Sequence, residues 1–184
     1  MSNNPMLNIA KDSDRIPEAI LKRFEGMPLG CVCDSNGRKV ALGGCIRPFC
    51  NYTAFVSTAF TVSCAAGENL DLHVAMKYVR PGDVLVANGE EFGECAVKED
   101  PIMGMAENSG MRALITSTHI RDHDGLEALD IAFFAKGLKP KGPFKNGSGK
   151  INLPVSIGGY VVESGDQIIV ESGNVALVSR GEID

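Results

Sequence analysis

The stretch "STHIRDHDGLEALD", residues 117–130, places two histidines, one arginine and four acids within fourteen positions. Three kinds of chemistry are open to such a set. His119 and His123 stand four apart, the spacing of two zinc ligands on one helix face. Here, however, His119 belongs in or just after a strand, and four residues of an extended-to-turn segment do not bring two side chains together. Asp124 and Glu127 fit a capping box, with Asp124 as N-cap, Glu127 reaching back, and Leu126 and Leu129 turned inward. That leaves Arg121 and Asp122, between the carboxyl end of an apolar strand and the next helix, where open α/β sheets place ligands. An aspartate there holds a hard divalent cation through oxygen and water, and an arginine offers a rigid fork to a carboxylate or oxyanion. The residues alone equally allow an exposed salt bridge.

The elements that must position the pair read as alternating helices and strands. Asp14 as N-cap and Pro17 in the first turn predict a helix through "DRIPEAILKRFEGMP", closed by Gly26 and Pro28. "RKVALGGCIRPF" is rich in β-formers, and "YTAFVSTAFTVSC" reads as a buried strand. Leu70, Val74, Met76 and Val79 form a helical stripe, followed by the turn Arg80–Asp83 and the short strand "VLVA". The pattern recurs in "PIMGMAENSGMRALITST", with a helix from Pro101 to about Gly110 and a strand from Ala113 to Thr118, and again in "GLEALDIAFFAKG". The C-terminal "INLPVSIGGYVVESGDQIIVESGNVALV" breaks into three or four short strands at glycine turns, and its "SGDQIIV" repeats the turn chemistry of "PGDVLVA". We therefore expect a loose arm over residues 1–14 and one α/β domain over 15–184, with a mixed sheet and a β-rich C-terminal part.

Composition narrows the partners. The chain has 184 residues, 44% hydrophobic and 22% charged, enough for one domain with a core. A net charge of −5 argues against nucleic acid, and the absence of Trp with 6% aromatics argues against a base-stacking platform. No apolar run reaches membrane-spanning length, and the polar start does not read as a signal peptide, so a cytoplasmic setting is expected. The six cysteines, at Cys31, Cys33, Cys45, Cys50, Cys64 and Cys95, lack a CxxC pair and are expected to be reduced and mostly buried. "KPKGPFKNGSGKI" is no phosphate loop, because Lys150 is followed by Ile151 and a strand-like segment; it reads as a mobile basic loop suited to attracting an anion.

Over "NLDLHVAMKYVRPGDVLVAN" and "RALITSTHIRDHDGLEALDIAFFAKGLKPKGPFKNGSGKINLPVSIGGYVVESGDQIIVESGNVALV" the chain resembles the family of the regulator of ribonuclease E activity. That family also contains the class II 4-hydroxy-4-methyl-2-oxoglutarate and 4-carboxy-4-hydroxy-2-oxoadipate aldolases. The resemblance implies a swivelling β/β/α domain, assembled as a homotrimer or hexamer with sites between subunits. It implies Arg121 and Asp122 as the catalytic residues, with Asp122 holding Mg²⁺ or Mn²⁺ and Arg121 binding the keto acid and stabilising its enolate. Backbone amides around Asp100, Ile102 and Met103 would seat the substrate carboxylate. The implied activity is a metal-dependent lyase that cleaves a short 4-hydroxy-2-oxo acid to pyruvate and decarboxylates oxaloacetate. The other activity within the family is non-catalytic, that of an oligomeric regulatory protein. This chain departs from the aldolase pattern at Glu99–Asp100, where a glycine is usual, and at Gly125, where an acid follows the Arg-Asp pair; Asp124 stands one residue before that gap.

Overall fold

The computed structural model describes residues 7–49, 54–89, 95–96, 100–126 and 128–183, with the side chains of Asp100, Pro101 and Met103 outside the description. The chain opens with β1 (Asn8–Ile9), α1 (Glu18–Leu21) running into a 3₁₀ turn at Lys22–Phe24, α2 (Leu29–Ser35) and β2 (Arg47–Pro48). The central part is β3 (Phe55–Cys64), α3 (Leu70–Ala75), β4 (Val84–Gly89), α4 (Asp100–Ser109) and β5 (Ala113–Thr116). Next come β6 (His119–Ile120), α5 (His123–Leu126), β7 (Ala132–Ala135) and β8 (Gly137–Leu138). The tail holds β9 (Lys150–Ile151), β10 (Val155–Ile157), β11 (Tyr160–Val162), β12 (Gln167–Glu171) and β13 (Asn174–Val178).

A mixed sheet runs in the order β1-β9-β3-β4-β5-β7-β2, and its centre, β3-β4-β5-β7, is parallel. Strand β3 has three partners: Phe55–Thr58 pairs antiparallel with β12, Ala59–Cys64 pairs parallel with β4, and Val62–Ser63 pairs antiparallel with β9. Period-two alternation sorts the side chains into two layers. Phe60, Val62, Leu85, Leu114 and Phe133 face Leu72, Ala75, Ile102 and Ala106 of the helices. Ala59, Val84, Val86, Ile115 and Phe134 face Val155, Ile157 and Val162 of the tail hairpin and Ile168 and Val170 of β12. The sheet is thus covered by helices on one face and by strands on the other, the mixed α/β architecture with a strand-rich C-terminal part that the sequence implies. No described helix is long and apolar enough to cross a membrane.

Several local expectations shift. Asp14 does not cap α1; Pro17 holds that position and the α-helical part spans only Glu18–Leu21. Gly26, at φ +74, ends the segment. The second helix, α2, was not expected, because its first free N–H groups are capped from far away: Leu29 N donates to Glu171 Oε2 at 2.8 Å. The tail has five strands, not three or four. Of the arm, the described part from Leu7 is tied to the body, since Asn8 and Ile9 pair with Lys150 and Ile151. Cys64 and Cys95 are buried, and burial pushes the Cys64 thiol up, but Cys31 and Cys45 are exposed, so "mostly buried" holds for only part of the described set.

The paired "GD" turns use one solution twice. Asp83 Oδ2 accepts the N–H of Arg80 at 2.8 Å, and Asp166 Oδ2 accepts the N–H of Glu163 at 2.9 Å, each with a positive-φ glycine before it. Asp83, 2% exposed, also receives a bidentate fork from Arg15, at 2.7 Å from Nε and 2.6 Å from Nη2. Arg15→Ala leaves that carboxylate half-satisfied in a buried place, and urea denaturation is expected to show a loss of about 2 kcal/mol.

Candidate functional site at the carboxyl end of the parallel strands

Three pieces of chain meet beyond the carboxyl ends of β4, β5 and β7. The first is β6 with the residues after it. β6 pairs with β8 in parallel, His119 with Gly137 and Ile120 with Leu138, and Lys139 N–H extends the ladder to Ile120 O at 3.0 Å. Ile120 is fully buried and sits in the helix-side core, whereas His119 and Arg121 are half-buried, so the alternation turns these two the other way. The second piece is the segment leading to α4: Ala96 forms a bridge with His119 and donates its N–H to Lys141 O at 2.8 Å. The third is the loop from Lys139 to Gly149.

Arg121 and Asp122 are in contact, with Nε 3.3 Å from Asp122 Oδ2 and side-chain exposures of 29% and 46%. The arginine reaches the third piece at Gly142. A Cβ at Gly142 would stand 2.7 Å from Arg121 Nη1, so the glycine makes room for the guanidinium. Asp122 has φ +59, a left-handed conformation that aspartate tolerates better than most residues but that still costs about 1 kcal/mol.

That backbone corrects the capping box. Helix α5 begins at His123, so Asp124 lies inside its first turn and Asp122 takes the position before it. Glu127 falls outside the described residues. Leu126 is fully buried and Leu129 packs on the core, as expected. The histidines do not form a pair: His119 lies beside Gly137, and His123 meets the edge of Phe49 at 6.3 Å between ring centroids. Asp100 begins α4, and the Ile102 side chain is buried in the core, which leaves only its backbone to face a ligand. The Glu99 departure lies outside the described residues, and Gly125 is exposed in α5 beside exposed Asp124.

The basic loop is pinned, which corrects the expectation of mobility. Glu68 accepts both the backbone N–H of Asn146 at 2.6 Å and its side-chain amide at 2.9 Å. Phe144 N–H donates to Gly67 O and Asn69 N–H to Phe144 O. Asp71, fully buried, accepts the N–H of Gly149 at 2.9 Å. Burial pushes the Asp71 carboxyl above the ordinary value of 3.8; the Gly149 N–H pulls it back and nearby Glu68 adds to the rise. A raised acid binds its proton more tightly in the folded state, so its contribution to stability is complete below about pH 4 and is lost as pH climbs. The thermal midpoint should therefore fall by the Asp71 share as pH is raised from about 4, and Asp71→Asn should flatten that part of a pH series of melting curves.

Beside this constellation lies a cavity of about 490 Å³, whose wall includes Asn88, Ser117, His119 and Lys136. No sequence pattern marks it, because its wall comes from stretches far apart in the chain. The one local signal was Lys136, directly after the buried strand "AFFA".

For a divalent cation the donor set is sparse but of the right kind. Among the described residues no group of three or more His, Cys, Asp or Glu stands together. Asp122 is an exposed carboxylate with Asp124 two residues on, which suits a hard ion that keeps most of its water. A soft-metal cage is not what these residues make.

A protein of Halalkalibacterium halodurans named "Putative 4-hydroxy-4-methyl-2-oxoglutarate aldolase" is 31% identical over 164 residues, covering 88% of this chain and 77% of that protein. The RNA-processing inhibitor RraA from Thermus thermophilis superposes with a TM-score of 0.74 at 19% identity, covering 82% of this chain and 92% of that one. RraAS2 of Streptomyces coelicolor, described as an unusual member of the RNase ES inhibitor RraA protein family, gives 0.76 at 18% identity, covering 92% and 89%. Relatives thus carry both aldolase and inhibitor names, and the two superpositions show a shared fold. The RraA-like family, Aldolase/RraA, matches residues 30–175, and the chain belongs to that family.

Proposed function

We propose that the protein is a divalent-metal-dependent lyase that cleaves a short 4-hydroxy-2-oxo acid to pyruvate and also decarboxylates oxaloacetate. The observation that carries this reading is the Arg121 guanidinium, seated on Gly142 beside an exposed Asp122 at the carboxyl end of a parallel sheet. Both reactions leave an electron pair on C3 of the pyruvate fragment, which is held as the enolate of the 2-oxo group. Arg121 supplies fixed positive charge and donors where the enolate oxygen develops. The backbone around Asp100, Ile102 and Met103 offers the N–H groups at the start of α4 to the substrate carboxylate. Asp122 would hold Mg²⁺ or Mn²⁺ largely through water, and such an ion adds Lewis-acid stabilisation of the 2-oxo group. A homotrimer or hexamer is the assembly proposed with it, and a cytoplasmic setting the location.

The test is pyruvate release from oxaloacetate and from 4-hydroxy-4-methyl-2-oxoglutarate, with Mg²⁺ or Mn²⁺ and then with EDTA. Turnover indifferent to EDTA, or none from either acid, would end the lyase reading. One observation favours a second, non-catalytic reading as an oligomeric regulatory protein: Arg121 and Asp122 are already paired with each other. Asp122→Gly separates the two. It relieves the positive φ, so the thermal midpoint should hold or rise slightly, while the metal response of turnover should disappear. Under the regulatory reading, no turnover exists for the substitution to change.

A further inference from the structure

Two carboxyl groups that the chemistry above does not use hold the loop on which Arg121 is seated, and both lie inside the protein. Glu68, 9% exposed, accepts the backbone and side-chain N–H groups of Asn146, and Asp71, with no exposure, accepts the Gly149 N–H through Oδ1. Between these two anchors the backbone is unusual. Gly147 has φ +88 and Ser148 has φ +108, a region that a serine enters only where its surroundings impose it.

Gly149 closes over Asp71. A Cβ on the glycine would stand 2.2 Å from Asp71 Cγ and 2.3 Å from Oδ2, so the carboxyl fills the place of a side chain. Oδ2 is buried and has no hydrogen-bond partner among the described residues. A neutral carboxyl is tolerated there far better than a carboxylate, because a buried charge short of donors is costly. Water reaches Oδ2 only if Gly149 moves.

The surroundings do not supply the missing counter-charge. Glu68 comes from the turn before α3 and the buried Cys64 thiol from β3, and each is close enough for its charge to matter to Asp71 or to feel it. Lys145 on the loop and Lys150 on β9 are exposed, and His73 is half-buried two residues along α3. Burial raises the Asp71 carboxyl, Glu68 adds to the rise, and the opposing pull comes from backbone N–H groups, of Gly149 and of Asp71 itself.

We propose that Asp71 is a proton-operated latch on this loop: neutral, it keeps Gly149 closed against it and β3, and on ionisation it favours release of the stretch from Phe144 to Gly149. The closed loop holds the proton more tightly than the open one, so opening releases one proton and becomes easier as pH rises. The latch itself stands apart from the lyase reading. Its effect on catalysis rests on that reading, through Gly142, which shares the loop and gives Arg121 its space.

Native-state hydrogen exchange on the whole protein tests this without turnover. The amides to follow are Phe144, Asn146 and Gly149, which are hydrogen-bonded in the closed loop, with those of β5 for comparison. After correction for the intrinsic pH dependence of exchange, loop protection should fall from about pH 4 upward, by up to tenfold per pH unit, and then level off. It should stay below that of β5 throughout, since the opening is local. Asp71→Asn should keep the loop closed and remove the slope. In the wild type, the infrared C=O band of a buried protonated carboxyl should vanish where the protection levels off, a readout that needs no variant. Protection indifferent to pH, protection equal to that of β5, a slope that survives Asp71→Asn, or a band that does not follow the protection would overturn the latch. Where turnover is present, KM for oxaloacetate should rise with pH over the same range in the wild type more than in Asp71→Asn. A working latch in a protein without turnover removes only the lyase reading, and turnover with pH-indifferent protection removes only the latch.

Discussion

Arg121→Ala should lower kcat/KM for pyruvate release by roughly 10²–10³-fold, the usual cost of losing one preorganised donor to a developing oxyanion. The fold should survive, because Arg121 is half-buried and its visible ion pair with Asp122 is partly exposed, a class of interaction worth at most about 1 kcal/mol. Arg121→Lys should recover little. The guanidinium occupies the space that a Cβ at Gly142 would take, and an ammonium on a flexible stem does not reproduce its fork. Gly142→Ala makes the complementary case, since its Cβ would stand 2.7 Å from Nη1 and must move the guanidinium without deleting it. It should raise KM and lower kcat less than Arg121→Ala. Steady-state kinetics on oxaloacetate check all three, and an Arg121→Ala enzyme with unchanged kcat/KM would reduce the Arg-Asp contact to a surface salt bridge.

The position of this pair was legible from sequence because it depends on local signals. An apolar strand, then a polar break, then a helix start fixes where the carboxyl end of the sheet lies. The buried strand β3 and the units α3-β4 and α4-β5 were legible for the same reason, since periodicity and a glycine turn bound each one. What escaped depends on contacts distant in sequence. Helix α2 has Pro28 at its N-cap, with no cap hydrogen bond from its own side chain, and its capping carboxylate is Glu171, 142 positions later. The start of α5 moved because Asp122 adopts a positive φ, which no spacing rule anticipates. The basic loop read as mobile because its own residues are glycines and lysines, while the acids that hold it, Glu68 and Asp71, belong to the preceding turn and to α3. The cavity walled by Asn88, Ser117, His119 and Lys136 could not be read at all, because its wall is assembled from stretches distant in the chain.

Gly149→Ala is expected to be among the most damaging single substitutions, at about 4 kcal/mol in urea denaturation, or a failure to fold. The cause is space, since a Cβ there would stand 2.2 Å from Asp71 Cγ and 2.2 Å from the backbone oxygen of Ser63. One neighbour is a carboxyl with no exposure and the other belongs to β3, so neither swings away cheaply. The next residues, Lys150 and Ile151, form β9 between β1 and β3, so a displaced Gly149 loosens two strand pairings at once. Asp71→Ala should cost less, about 1–3 kcal/mol, because it leaves the Gly149 N–H buried without its acceptor but adds no atom. Combining Gly149→Ala with Asp71→Ala should restore only part of the loss, since the Ser63 oxygen still blocks the new methyl group. The same displacement reaches the site through the loop, where Gly142 carries Arg121, so any Gly149→Ala protein that folds should also lose turnover. A Gly149→Ala protein within about 1 kcal/mol of wild type would mean that the loop does not pack against Asp71 and Ser63 in this way.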